Sequence, residues 1–550
     1  MDNQRIILWV LFAGLAFLTW SKWQADNLPP PGSETLPLPV AEENRPAVDL
    51  PAIDGDSGET PAVAPAVEVP AVATGAKPAS TIKVETDLLE LEISTTGGAL
   101  VSAQLKQYPK SKDAPDVPVQ ILRNTTDDTY VLGSGLVDGS QSGPTHLATL
   151  AAAKKTYTLA EGSDTLEVPL SWTDGNGISV EKIYRFRRGR YNIDLDYRIR
   201  NNSQADWRSL SYLQIRKTHN PPERSMFNVD SYSYNGPVVY DGEKYEKIDP
   251  NDLQEEPLDM QVPNGWIAAI EHHFLSAVVP PAGETYSYDA RYEKGIYTVR
   301  ASGPAIAVPV GAEATLSAQL FIGPKLQRQL EETAEGLELT VDYGLLAILA
   351  QPLFWLLELV HGFVGNWGWS IILVTFLIKA AFYKLTEASG RSMAKMRKLQ
   401  PRLKALQERY KDDRQALSQH MMDLYKREKV NPAAGCLPML IQIPFFIAFY
   451  WVLLESVEMR QAPFALWISD LSSRDPYFVL PLLMGVAMFV QQKLNPAPPD
   501  PVQAKVMTIL PIMFTGFFAF FPSGLVLYWL TNSVLSVAQQ WNINRKMHAD

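Results

Sequence analysis

Cysteine and histidine are scarce in this chain: its 550 residues hold one Cys, Cys436, and 7 His. A lone Cys excludes an intramolecular disulfide, and His residues this scattered offer no ligand set at zinc spacing. Neither H-E-x-x-H nor G-x-S-x-G occurs, so two common signatures of peptidases and hydrolases are missing. Positive charge is also in deficit, with 49 Lys and Arg against 60 Asp and Glu and a net charge of −11. That balance argues against DNA binding unless one segment concentrates basic residues. The mean hydropathy of −0.08 is that of an ordinary soluble protein, but over this length it can average apolar spans with a polar domain.

Charge is absent from several long stretches. Residues 6–21 are uncharged and apolar, with Trp20 and Trp23 at the far end. The exit SKWQADNL lacks a small-x-small cleavage site, so an uncleaved anchor over about 5–23 is expected rather than a removed signal. The next apolar territory begins only near Leu345. Residues 430–454 run 25 positions without charge and residues 476–492 run 17, and either can cross a hydrocarbon core of about 30 Å. Residues 506–544 are uncharged over 39 positions, about 59 Å as one helix, so the FPSG break at 521–524 must turn the run into a hairpin. Residues 344–383 divide at a Gly, Asn and Trp break at 365–368. The first half, with Glu358 and His361 among Leu and Phe, suits an amphipathic helix in the interface. The second is a span with Lys379 inside it. Six spans are expected, at about 5–23, 367–387, 434–455, 476–493, 506–521 and 525–543.

Residues 384–430 hold 13 Lys and Arg against 6 Asp and Glu, whereas residues 455–475 hold 2 against 4. The positive-inside rule places the first loop and both termini in the cytoplasm. Residues 24–345, with 27 basic and 46 acidic side chains, then lie outside, which for a bacterial inner membrane is the periplasm. The predicted organisation is an anchor (1–23), a Pro-rich linker (24–80), a periplasmic β-sandwich (81–328), a linker with the interfacial helix (329–366), a five-span core (367–543) containing a cytoplasmic helical hairpin (386–430), and a short tail (544–550). The fold class is thus a multi-pass α-helical membrane protein with a large β-domain.

Within 81–328 the strand signals are alternation at Ile82-Val84, Leu89-Leu91-Ile93 and Tyr191-Ile193-Leu195-Tyr197-Ile199, with turns at TTGG and RRGR. His272 and His273 read as strand residues, one facing the core and one solvent. In the hairpin, Met393, Met396, Leu399, Leu403, Leu406 and Tyr410 recur at helical spacing, as do Leu417, Met421 and Leu424. The stripe suits hairpin packing or a surface for varied apolar clients. Asp412 with Gln415 resembles a capping box, and Asn431-Pro432 ends the second helix. Arg391, Lys395, Arg397, Lys398, Arg402 and Lys404 supply basic charge, which either sets topology alone or also meets anionic lipid or ribosomal RNA.

A cation inside a span costs about 2.5–3.5 kcal/mol on insertion scales, so Lys379 requires an explanation. It snorkels to the headgroups, or it lines a hydrated cavity with Thr375 and Tyr383 on its own face and Gln442, Tyr528 and Asn532 from other spans. A transporter would carry repeats and paired broken spans, which are not visible, and an enzyme using Lys379 as a base for Ser370 or Ser389 would need partly mismatched faces.

Three stretches, KVNPAAGCLPMLIQIPFF from Lys429, RQAPFALWISDLSSRDPYFVLP from Arg460 and FPSGLVLYW from Phe521, closely resemble the YidC/Oxa/Alb family of membrane protein insertases in its Gram-negative form, and the likeness covers essentially the whole chain. The resemblance implies a groove open to cytoplasm and lipid, with one cation that attracts acidic parts of an incoming chain. That role maps to Lys379, where the family usually has Arg. Lys keeps the charge but not the five-donor fork. Thr375 and Trp529 carry over as groove positions, Trp529 where Tyr is common. Ile443, Pro444, Phe446, Met507 and Phe514 carry over as contacts for client helices. The implied partners are nascent membrane proteins, the Sec translocon, the lipid bilayer and, given the short tail NINRKMHAD, a weakly bound ribosome. No cofactor and no covalent chemistry are implied.

Overall fold

The computed structural model describes residues 80–138, 143–221, 233–410, 413–428, 430, 437–494 and 501–549. The expected anchor at 5–23, the linker before Ser80, Asp412, Asn431-Pro432 and Cys436 lie outside the described residues.

Residues 81–324 form two antiparallel-dominated sheets of ten and nine strands among the described residues. Alternation drives their burial: in Thr81–Glu85 only Ile82 and Val84 are buried, and in Asn192–Asn201 Ile193, Leu195, Tyr197 and Ile199 all turn inward. The sheets share one core, and the Tyr130 hydroxyl of the larger sheet donates to the Ala269 carbonyl of the smaller at 2.9 Å. The TTGG turn requires glycine, since Gly97 and Gly98 have φ of 67° and 59°. His272 and His273 depart from expectation. They are the hairpin turn between Trp266–Glu271 and Phe274–Val279, with His272 at φ 48°. Their rings stack at 3.7 Å, and burial holds His273 well below its ordinary pKa. Alternation cannot distinguish a two-residue turn from a strand when both residues are of intermediate polarity.

Helices follow: α1 (Gln327–Thr333), α2 (Ala347–Val364), α3 (Trp367–Ala381), α4 (Tyr383–Arg409), α5 (Arg414–Arg427), α6 (Leu437–Glu455), α7 (Val479–Leu494), α8 (Pro501–Phe518) and α9 (Ser523–Ala549). The break at 365–368 is a paired cap. Gly365 (φ 68°) closes α2 with its N–H on the His361 carbonyl at 2.7 Å, and the Asn366 side chain accepts the Trp369 N–H at 3.1 Å to open α3. The FPSG break seats Ser523, whose hydroxyl contacts the carbonyls of Asp470 (2.6 Å) and Ser473 (2.8 Å), at the start of α9.

Two expectations are revised. The span placed at 367–387 ends at Ala381, because the chain bends by 69° between α3 and α4, and residues 383–387 belong to the hairpin's first helix. The cap of α5 is Asp413, which accepts the Ala416 N–H at 2.9 Å, one residue beyond the expected Asp412. Among the described helices only α2 has both the length and the apolarity to cross a bilayer by itself; 441–455, 479–494 and 505–518 are shorter apolar helices. The sequence places this same α2 in the interface. Its faces differ: Ala350, Leu353, Phe354 and Leu357 are buried, whereas Ile348, Trp355, Leu359 and Phe363 are exposed.

Close approaches hold the helical part together. The Phe464 ring lies over Gly368, where a Cβ would meet it at 2.1 Å, and Thr515 of α8 sits 2.0 Å from a Cβ built on Gly485 of α7. A buried ion pair, Lys325 to Glu455 at 3.1 Å, ties the end of the last strand to the end of α6. Lys325 also donates to the Thr340 carbonyl at 3.1 Å. Arg460 also joins the two parts, donating to the carbonyls of Pro109 and Lys110, both at 3.0 Å.

Candidate functional site

Five of the six expected groove residues meet in one cleft. Thr375 and Lys379 come from α3, Gln442 from α6, and Tyr528 and Asn532 from α9. Ile378, Phe382, Leu385, Thr386, Ile441 and Phe445 complete the wall around about 450 Å³ of space that includes the open mouth. Gln442 therefore reaches the same space as Lys379 although 63 positions separate them in sequence.

Lys379 stands in the last turn of α3, closer to the helix end than the span 367–387 implied. Its ammonium donates to the Ser536 hydroxyl at 2.7 Å, and no carboxylate pairs with it among the described residues. Ser536 donates onward to the Asn532 carbonyl at 2.7 Å, and the Asn532 amide donates to the Gln442 carbonyl oxygen at 3.3 Å. Thr375 is buried, and its hydroxyl is engaged by the Ile371 carbonyl at 2.6 Å. It shapes the cleft more than it offers a donor. The bend takes Tyr383 away from the face of Lys379, and Phe382, Leu385 and Thr386 line the cleft in its stead.

Trp529 is not among the cleft residues. Its ring meets Phe446 edge-on at 4.7 Å and lies 5.4 Å from Phe518 and 6.3 Å from Phe514. Adjacent helix positions point about 100° apart, so Tyr528 and Trp529 serve different surfaces. Of the expected client contacts, Ile443 and Met507 are exposed, whereas Pro444, Phe446 and Phe514 are half-buried. Phe446, Phe514 and Trp529 therefore form one aromatic cluster behind the exposed pair. The outward faces of α3, α7 and α8 are strongly apolar, with Phe376, Val486 and Ile512 among the exposed residues, as a surface against lipid must be.

Arg391, Lys395, Arg397, Lys398, Arg402 and Lys404 are all exposed along α4. Arg391 pairs with Glu387 at 2.8 Å and Arg402 with Glu428 of the hairpin's other arm at 2.7 Å. Leu399 and Leu403 are buried, and Met393, Met396, Leu417, Met421 and Leu424 are half-buried.

Two family models match the chain: "60Kd inner membrane protein" over residues 359–550 and "YidC periplasmic domain" over residues 81–356. The protein named membrane protein insertase YidC from Methylococcus capsulatus is 49% identical, aligned over 100% of this chain and 99% of its own length. Its namesake from Nitrosococcus oceani is 47% identical over 100% of both chains. This chain belongs to the YidC family. A solved structure of an active YidC insertase overlaps 84% of this chain and 94% of its own, at 20% identity and a TM-score of 0.38; the assignment rests on the sequence matches instead. Within the family frame, 81–356 is the β-rich domain and 359–550 the helical inner-membrane portion. Ser536, which sequence reasoning missed, was detectable as a polar residue one turn beyond Asn532 in an apolar helix.

Proposed function

We infer that this protein inserts other proteins into the bacterial inner membrane and helps them fold, with the cleft around Lys379 as the groove that receives their polar segments. The observation that carries the reading is a single ammonium, without a carboxylate partner among the described residues, in a cleft lined from α3, α4, α6 and α9, beside the apolar outward faces of α3, α7 and α8. A cation so placed attracts the acidic tail of an incoming chain. A hydrated half-channel shortens the stretch of hydrocarbon that the tail must cross. The client's apolar helix then partitions into lipid, past Ile443 and Met507 and the cluster of Phe446, Phe514 and Trp529, driven by its own burial. The short α3, about 22 Å long at 15 residues, favours local thinning of the bilayer. No step requires a cofactor or a covalent intermediate.

The topology that serves this has six spans, both termini and the basic hairpin in the cytoplasm, and the β-domain in the periplasm. Helix α2 lies along the periplasmic interface, a placement supported by the contact of Glu358 with Arg328 of α1 at 3.3 Å. The hairpin's exposed basic row faces anionic lipid and ribosomal RNA, and the translocon is a partner on the periplasmic side.

The test is insertion into vesicles containing Lys379→Ala or Lys379→Glu protein. Both variants should insert clients with acidic translocated tails several-fold less well than wild type at equal protein level, and Lys379→Glu should be the worse. Undiminished insertion by both would remove the groove role, and specific solute flux through the purified protein would favour a transporter.

A further inference from the structure

Lys379 has two places to go. Its four-methylene stem starts in the last turn of α3, next to the bend at Phe382, from which a lysine readily extends toward headgroups and water. In the structure it turns inward, and the atom that receives it is the Ser536 hydroxyl oxygen at 2.7 Å. That hydroxyl is itself oriented: its one proton goes to the Asn532 carbonyl a turn earlier, at 2.7 Å, which leaves its lone pairs for the ammonium. The bonds run in one direction, from ammonium to hydroxyl to backbone carbonyl, and Asn532 carries the contact on to Gln442 at 3.3 Å.

We propose that Ser536 is the positioning residue of the groove, a neutral acceptor that holds the Lys379 ammonium inside the cleft and leaves two of its three donors for the carboxylates of a client. The chemistry of the anchor matters. An apolar residue at 536 would release the lysine to the headgroups. A carboxylate would hold it but cancel its charge, removing the attraction for acidic segments. A hydroxyl fixes position without neutralising. The need is particular to lysine, whose single nitrogen has no rigid fork to engage several acceptors at once. This inference rests on the reading of the cleft as the client groove.

The experiment uses full-length protein in vesicles and two clients that differ only in whether the translocated tail carries Asp and Glu or their amides. Ser536→Ala should lower insertion of the acidic client by about tenfold, the size expected for losing one hydrogen bond to a charged group, and should spare the amide client. Ser536→Thr, which keeps the hydroxyl, should restore it, and Ser536→Asp should abolish the preference for the acidic tail. In parallel, peptide-level mass spectrometry after treatment with a membrane-impermeant amine reagent should show Lys379 labelled several-fold faster in Ser536→Ala. Equal loss for both clients, or failure of Thr to rescue, would make Ser536 a packing residue and overturn the proposal. Wild-type insertion by Ser536→Ala beside a defective Lys379→Ala would overturn the anchor and leave the groove standing. If Lys379→Ala is itself harmless the groove reading falls, and unchanged labelling of Lys379 in Ser536→Ala then overturns the anchor as well.

Discussion

Glu458 follows α6 at the seam between the β-domain and the helices, in the turn Val457–Met459. One of its carboxylate oxygens is buried without a hydrogen-bond partner, and burial pushes the group up to about 7, with the charge of Glu358 adding and Lys325 opposing. Tyr108 and Tyr343 face it from the neighbouring strand and loop. A carboxyl whose folded pKa exceeds its unfolded value near 4.5 makes the folded state bind more protons across that interval, so stability falls as pH rises from about 4.5 through 7. Glu458→Gln stays neutral throughout. Its melting midpoint should match wild type near pH 5 and exceed it at pH 8, and parallel curves at both pH values would show that Glu458 is already solvated. At this same scale the sequence was most informative about types of residue. Lys379 stands out because an apolar run makes any charge conspicuous. Ser536 does not, because a serine in such a run is unremarkable until its partner is known.

Elements were legible where periodicity and caps coincide. The strand Asn192–Asn201 follows a perfect alternation, and the α2–α3 break is written as Gly365 and Asn366. The end of α3 was not legible, since no Pro or Gly marks Phe382 and apolar residues continue through the bend. The His272-His273 turn was hidden for a related reason, as neither residue is a usual turn former. Between elements the most deeply buried ion pair among the described residues is Lys325 with Glu455, at 2% and 8% side-chain exposure. Removing one partner of a buried pair leaves an uncompensated charge and costs about 3–5 kcal/mol, whereas replacing both with apolar groups is often near neutral. Lys325→Met should therefore lower the unfolding midpoint strongly, and the double variant Lys325→Met with Glu455→Leu should recover most of it. Equal loss in single and double variants would mean that the pair is solvated and the joint is held elsewhere.

For the whole molecule, topology is the open prediction. In a Cys436→Ser background, Asn176→Cys in the β-domain should react with an impermeant thiol reagent added outside cells stripped of their outer membrane. Ala405→Cys in the hairpin should react only after the inner membrane is opened. Labelling of position 405 from outside would invert the arrangement. Composition, charge asymmetry and apolar runs by themselves determined that a net charge of −11 is the sum of an acidic β-rich part and a basic hairpin beside apolar helices, because these properties are local and add along the chain. Only the tertiary structure decided that Lys379 meets Ser536, that Tyr528 and Trp529 divide between cleft and aromatic cluster, and that the β-domain is clamped to α6. Those facts depend on helix rotation, bends and crossings, which are settled by packing between residues distant in sequence, 157 positions apart for Lys379 and Ser536, and leave no periodic trace in the sequence.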